Sequence, residues 1–196
     1  TPEVYMALSK FKNSVGTRPI QWTTVNTYEI LNHSQNLVNF QIAPDVRSPE
    51  FVICFTRDND LANKNPYTTS TDSFVSGKLI YNGHHVPQTD YDVTNEGGWQ
   101  RLYSEFLKVC GHGLDSTDSN MLDYNTFRRV YRYVCFDLRS LPEDVLSISH
   151  GASMRFNATY SGTTARDFYF LVFRKAQGQI SYEGADQATR VFGIQY

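Results

Sequence analysis

The chain has 196 residues, 18 basic and 20 acidic side chains, a formal net charge of −2, and 13 each of Tyr and Phe. That length suits one domain or two small ones and is enough to bury a core, and the nearly balanced charge gives no reason to expect nucleic acid or an anionic membrane as the main partner. No apolar run approaches the ~20 residues of a membrane-spanning helix, and the start, TPEVYMALSKFK, has no initiator Met, no apolar signal core and no small-residue cleavage site, so it reads as the trimmed beginning of part of a longer protein.

PIQWTTVNTYEIL (19–31) is rich in β-branched and aromatic residues and predicts a strand; after the turn NHSQ, NLVNFQIA (36–43) predicts the return strand of a hairpin. PEFVICFTR (49–57) is apolar without a helical period and predicts a strand buried on both faces. After the polar loop DNDLANKNPYTTSTD comes SFVSGKLIYNGHHVPQ, which predicts two strands around Asn82-Gly83. Asn-Gly is the pair that most readily takes the two positive φ values of a type I′ turn.

In NEGGWQRLYSEFLKVCGHG the period changes: Trp99, Leu102, Tyr103, Phe106, Leu107 and Cys110 fall at helical spacing. Asn95 or Glu96 suits the helix start and Gly111 the residue after its end. LDSTDSNMLDYNTF is a second long polar loop, and RVYRYVCFDL (129–138) predicts a strand. LPEDVLSISHG connects it to a hairpin of SMRFNATY (153–160) and ARDFYFLVFRKA (165–176) around SGTT; GQISYEG and RVFGIQ predict short edge strands. About eight strands and one short helix in a long loop define an all-β, two-sheet sandwich; at this point a jelly roll and an immunoglobulin-like sandwich are both open.

The sequence contains no GxSxG, HExxH, GxxxxGK[ST] or GxGxxG. His33, His84, His85, His112 and His150 all fall at predicted turns or loop ends. His84 and His85 with Asp90 are a conceivable metal set, but adjacent strand residues point to opposite faces and do not share one ion. His112 could serve as a base; a solvated residue just past a helix end is the preferred reading. Asp58 and Asp60 in RDND resemble a fragment of a calcium loop that lacks its glycine and terminal Glu, and read better as an Asx-type polar turn. FRRVYRY (127–133) interleaves Arg with aromatics. As a strand it sets Arg129 and Tyr131 on one face and Arg128, Val130 and Arg132 on the other. Base stacking is one use of such a face; with a slightly negative chain, arginines that cover neighbours or pair across an interface are preferred. Cys54, Cys110 and Cys135 form no CxxC and lie in apolar surroundings, so all three are expected as buried thiols, which fits a reducing compartment. Two glycosylation sequons, at Asn32 and Asn157, carry no weight, the second lying mid-strand. No catalytic, cofactor-binding or metal-ligating residue is assigned, no cofactor is expected, and the chain is not read as an enzyme.

Taken in order, RPIQWTTVNTYEIL, PEFVICFTRDND, NPYTTSTDSFVSGKLIYNGHHVPQTDYDV, LYSEFL and the long stretch from YVCFDL to QISYE resemble the C-terminal jelly roll of the double jelly-roll major capsid proteins. These are found in adintoviruses and Polinton-like elements and their relatives among large DNA viruses. The family pattern runs from an FDL strand through an irregular segment to a strand opened by Gly, then a hairpin, a long apolar strand and a short acidic-tipped one. Here these are Phe136-Asp137-Leu138, Gly151 to Phe156, Phe168 to Phe173, and Ile180 to Glu183. Asp58-Asn59, Asn65-Pro66-Tyr67 and Tyr81 to Pro87 match further family segments. Order and spacing carry the resemblance, not any single motif, and RSLPED stands where the family has TPD.

The resemblance implies an eight-stranded jelly-roll sandwich, with residues 1–18 as a lead-in and 19–196 as a single domain. It implies a non-catalytic capsid subunit of a DNA virus, made in the host cytoplasm or nucleus and resident in the virion. Its partners would be copies of itself, in trimers of pseudo-hexameric outline, and other capsid proteins. LIYNGHHVP becomes the turn between two jelly-roll strands, with Pro87 ending the second because proline lacks an N–H for the ladder. His84 and His85 are then tip residues whose protonation near about pH 6 would tune subunit contacts. Two rivals stay open. One is a β-sandwich module that binds a glycan or receptor, supported by the aromatic content and the loops 58–73 and 111–126. The other is a cupin-like enzyme, which needs histidines and a carboxylate converging inside the barrel.

Overall fold

The computed structural model describes residues 16–44, 46–59, 70, 73–110, 122–146, 152–182 and 190–195. The expectations for Asp60, Gly111, His112 and His150 lie outside these. The strands are β1 (Gly16–His33), β2 (Leu37–Pro44), β3 (Pro49–Asp58), β4 (Phe74–Tyr81), β5 (His84–Asp92), β6 (Val134–Asp137), β7 (Ser153–Tyr160), β8 (Arg166–Tyr182) and β9 (Arg190–Gln195). Helix α1 spans Glu96–Val109; α2, Tyr124–Thr126, runs on into a π-turn at Phe127–Tyr131; α3 spans Glu143–Leu146. The chain divides into two compact units, one of residues 25–174 and one built from the two chain ends.

In the larger unit one sheet has the order β1-β8-β3-β6 and the other β2-β7-β4-β5. This is one long antiparallel hairpin rolled over on itself. Its arms are the pairs β1–β8, β2–β7, β3–β6 and β4–β5, with the tip at Asn82-Gly83. Rolling adds the contacts β3–β8 and β4–β7. Two Greek keys of this kind make a jelly roll, and the arrangement closes two apolar faces over one core.

Two hairpins expected from sequence are corrected by this order. β1 and β2 lie in different sheets, as do β7 and β8, so NHSQ and SGTT are crossings between sheets. One buried side chain holds both crossings. Arg166, fully buried, donates from Nη2 to the Gln35 carbonyl at 2.7 Å and to the Gly162 carbonyl at 3.1 Å. Its guanidinium lies 4.6 Å from the Tyr160 ring centroid.

The tip hairpin forms as expected. Asn82 has φ 48° and Gly83 φ 82°, the pair of left-handed values that a type I′ turn demands. The Asn82 side chain accepts from the Ser153 N–H at 2.8 Å and donates to the Val145 carbonyl at 3.3 Å, pinning the turn to its neighbours. Pro87 does not end β5. The strand continues to Asp92 through a register irregularity opposite Gly77 and Leu79, and β5 is a sheet edge, where a missing N–H costs little. Gly77 permits close strand approach: a Cβ there would lie 2.6 Å from the Asn157 carbonyl oxygen.

Helix α1 starts as expected, with the Asn95 side chain accepting from the Gly98 N–H at 2.9 Å. It buries Trp99, Leu102 and Leu107. The strand expected at 129–138 is cut to Val134–Asp137. Ahead of it the chain is helical, because Asp123 accepts from the N–H groups of Asn125 and Thr126. The fully buried Phe127 then packs at 5.2 Å from the Tyr103 ring and 5.1 Å from Phe106. The polar loop 111–126 therefore ends in helix. β3 is also corrected: instead of burial on both faces, its residues alternate between buried and half-buried.

The core is aromatic. Phe156 meets Phe136, Phe168 and Phe170 at 5.9, 6.5 and 5.3 Å, and Tyr160 meets Phe74 and Phe168 at 5.8 and 5.3 Å. Edge-to-face pairs of this kind contribute about 0.5–1.5 kcal/mol each beyond their buried area. Tyr81 and Tyr91 reach main-chain acceptors, the carbonyls of Val46 and Cys135, so their hydroxyls are buried at little cost.

The smaller unit contains the first part of β1, the last part of β8 and β9. GQISY, residues 178–182, is the continuation of β8, not a separate strand, and β9 pairs with β8 antiparallel from Gln177↔Gln195 to Ser181↔Arg190; Glu183 lies outside the described residues.

Candidate functional site

Among the described residues, those weighed in sequence for chemistry do not converge. His84 and His85 open β5, exposed, in register with Tyr81 and Ile80. Asp90 pairs with Lys78 at 3.0 Å. His33 ends β1 among the rings of Phe40 and Phe168, at 4.8 and 5.8 Å. Asp58 is buried and accepts from the Ser70 hydroxyl; it stands opposite Arg166 in the β3–β8 register. Among the described residues no three His, Cys, Asp or Glu side chains gather as a metal set. Cys54 and Cys135 are buried, and burial pushes both thiols well above their ordinary range. Cys110 is exposed at the end of α1, against expectation.

What the fold does assemble is an apolar outer surface. Along β3, Val52, Cys54 and Thr56 face the core, as do Phe168, Phe170 and Val172 along β8. The alternate residues therefore face outward. They meet in register as Phe51↔Phe173, Ile53↔Leu171 and Phe55↔Tyr169. The first and last pairs stack, with centroids 4.3 and 5.2 Å apart. On β1, Tyr28 and Ile30 pack on the core, and the opposite parity presents Val25 and Leu31, 49% and 60% exposed. Polar groups rim the row. Arg57 stands opposite Asp167 at one end. At the other, Arg139 lies 5.9 Å over the Phe51 ring, its guanidinium gripping Asp137 through bonds of 2.9 and 2.8 Å. Those bonds hold the Asp137 carboxyl below its usual range. The signal for this surface is present in the sequence, because PEFVICFTR is apolar at both parities, but a strand buried on both faces carries the same pattern.

FRRVYRY is the other departure. Arg128, Arg129 and Arg132 do not alternate across a strand. They sit on the helical turn before β6 and line one cleft with Ser73, Trp99 and Asn125.

The strand order of the larger unit, two antiparallel four-stranded layers wound as a rolled hairpin, defines a jelly-roll protein. No family model matches the chain, and no curated protein matches it in sequence. Among solved structures, the crystal structure of the mavirus major capsid protein is similar at a TM-score of 0.50 and 11% identity, over 95% of this chain and 43% of that one. A chain of the Sputnik virophage, solved by cryo-EM, is similar at a TM-score of 0.43 and 14% identity, over 91% of this chain and 38% of its own. The chain thus spans less than half the length of either. The jelly-roll fold implied by the order of sequence motifs is the fold observed, and it is shared with a viral major capsid protein.

Proposed function

We propose that this chain is a structural subunit of a viral capsid, a jelly-roll part of a capsomer that assembles with copies of itself and with other capsid proteins in the virion, without catalysis. One observation carries the reading: the β3–β8 pair at the middle of the β1-β8-β3-β6 sheet is apolar on both faces. A sheet that closes a core on one face needs only polar residues on the other. Here the outward row of Phe51, Ile53, Phe55, Tyr169, Leu171 and Phe173 is half-buried and contiguous, while on β1 exposed Val25 and Leu31 alternate with Thr27 and Glu29; apolar surface such as the row marks a contact with another protein.

The magnitudes indicate what sort of contact. An apolar patch of ~400 Å², the order of size at which exposed apolar surface signals a contact, is worth about 10 kcal/mol gross when covered, at about 25 cal/mol per Å². Association costs about 4–15 kcal/mol in lost freedom. The row alone therefore supports reversible, concentration-dependent contacts rather than a tight pair, and closed trimers of pseudo-hexameric outline gain by using several such contacts at once. The test is oligomeric state against concentration, by light scattering coupled to size exclusion. A trimer, or a reversible climb toward larger species, is expected. A strict monomer at every concentration would overturn self-assembly by this chain and put the glycan- or receptor-binding sandwich first.

A further inference from the structure

The arginine cleft is unrelated to the apolar face, and nothing in the capsid reading requires it. Its volume is about 400 Å³, and its lining among the described residues (Ser73, Trp99, Asn125, Arg128, Arg129 and Arg132) contains three guanidiniums, with the Glu96 carboxylate held by Arg128. This concentration of positive charge sits in a chain whose net charge is −2.

The local backbone gathers it. After α2 the turn widens to a π-turn, closed by the Arg132 N–H on the Phe127 carbonyl at 2.9 Å. Arg132 ends it in a left-handed conformation, φ 39°, which side chains larger than Gly rarely adopt. Phe127, buried, anchors the turn from the core side. π-turns and strained residues recur at functional sites because a regular helix would be the cheaper structure. Arg128 and Arg132 stand four apart along this turn, a spacing at which like charges oppose helix formation.

The three cations are unequally satisfied. Arg128 pairs with Glu96 at 2.5 Å. Arg132 donates to the carbonyls of Ser70 and Arg128, at 3.3 and 3.2 Å, and is half-buried, which weakens its hold on its proton. Arg129 makes no hydrogen bond or ion pair among the described residues. Several planar guanidinium forks converging on one volume suit a ligand with three or more negative oxygens, and the Ser73 and Asn125 side chains add neutral donor types. A nucleic-acid strand needs a track of cations along its backbone, whereas this is a single pocket of the size that takes a small ligand. We infer that the cleft binds a free multivalent oxyanion of the phosphate class.

Inorganic pyrophosphate is the probe, titrated calorimetrically into the chain at low ionic strength. We expect one saturable site with Kd below about 100 µM. Arg129→Gln should weaken it at least about tenfold with little change in Tm, since Arg129 is exposed and makes no hydrogen bond or ion pair among the described residues. Arg155→Gln, which removes the same charge from an exposed position on β7, should leave it unchanged. No saturable binding beyond a chloride control of equal ionic strength would overturn the site, and so would equal weakening by the two substitutions, which would mean diffuse charge only. Tighter binding of a short oligothymidylate, with a salt slope of several phosphates, would replace it with a nucleic-acid surface.

Discussion

Arg166 shows how one residue can decide topology. It reaches the Gln35 carbonyl in the first crossing between sheets and the Gly162 carbonyl in the last, from a fully buried position. Replacing it with Met keeps most of the volume and leaves two carbonyls without that donor. Each buried group left unsatisfied costs about 1–3 kcal/mol, so Arg166→Met should destabilise by about 3 kcal/mol or more. In urea unfolding the midpoint should fall with the slope unchanged; a loss under about 1 kcal/mol would show that packing alone holds the corners. Asp137 makes a smaller, pH-dependent contribution. Its carboxyl is held below the usual range by Arg139. A depressed folded-state pKa adds stability above the unfolded value of about 4 and loses it as pH falls through the folded one. Arg139 is partly exposed, so the pair contributes no more than about 1 kcal/mol. Asp137→Asn should flatten the acid limb of Tm against pH below about 4, and an unchanged limb would sink the assignment.

At the scale of elements, α1 and the β4–β5 hairpin were legible because their signals are local. Asn95 caps through its own side chain, and Asn82-Gly83 supplies the turn dihedrals without outside help. The crossings were not legible. NHSQ and SGTT look like hairpin turns, and what tells them apart from arches between sheets is long-range contact, from Arg166 to the Gln35 carbonyl and from the Asn32 N–H to Asp167. FRRVYRY misled for a related reason. Its alternation suits a strand, but the cap at Asp123 and the core pocket for Phe127 select a helical turn, and the arginines meet in a cleft only as a result. Gly98 gives a test in which two effects oppose. Ala is the better helix former by about 1 kcal/mol, yet a Cβ at Gly98 would lie 1.7 Å from the Asp92 carbonyl oxygen. Overpacking against backbone costs more than propensity returns, so Gly98→Ala should destabilise by about 1–3 kcal/mol. A stabilised variant would mean that α1 does not start hard against the end of β5.

For the molecule as a whole, the apolar outer face makes the forces behind association separable from those behind folding. Leu31 is 60% exposed on β1, so Leu31→Lys removes little from the core and should shift unfolding by about 0.5 kcal/mol or less. Leu171, on the same face, is only half-buried and pairs with Ile53; Leu171→Lys keeps its stem along that surface and raises its ammonium toward water. If sister subunits meet on this face, each substitution buries a charge at the contact and should weaken association by about tenfold or more, the equivalent of about 1.4 kcal/mol. Salt then tells the mechanism. Association through an apolar face should survive about 0.5 M NaCl, where exposed ion pairs are screened, and should strengthen in sulfate. Light scattering on the parent chain and both variants, at low and high salt, measures this directly. Assembly lost in NaCl but indifferent to Leu31→Lys and Leu171→Lys would place the contacts on charged surface instead, and the two-faced sheet would then need another partner to cover it.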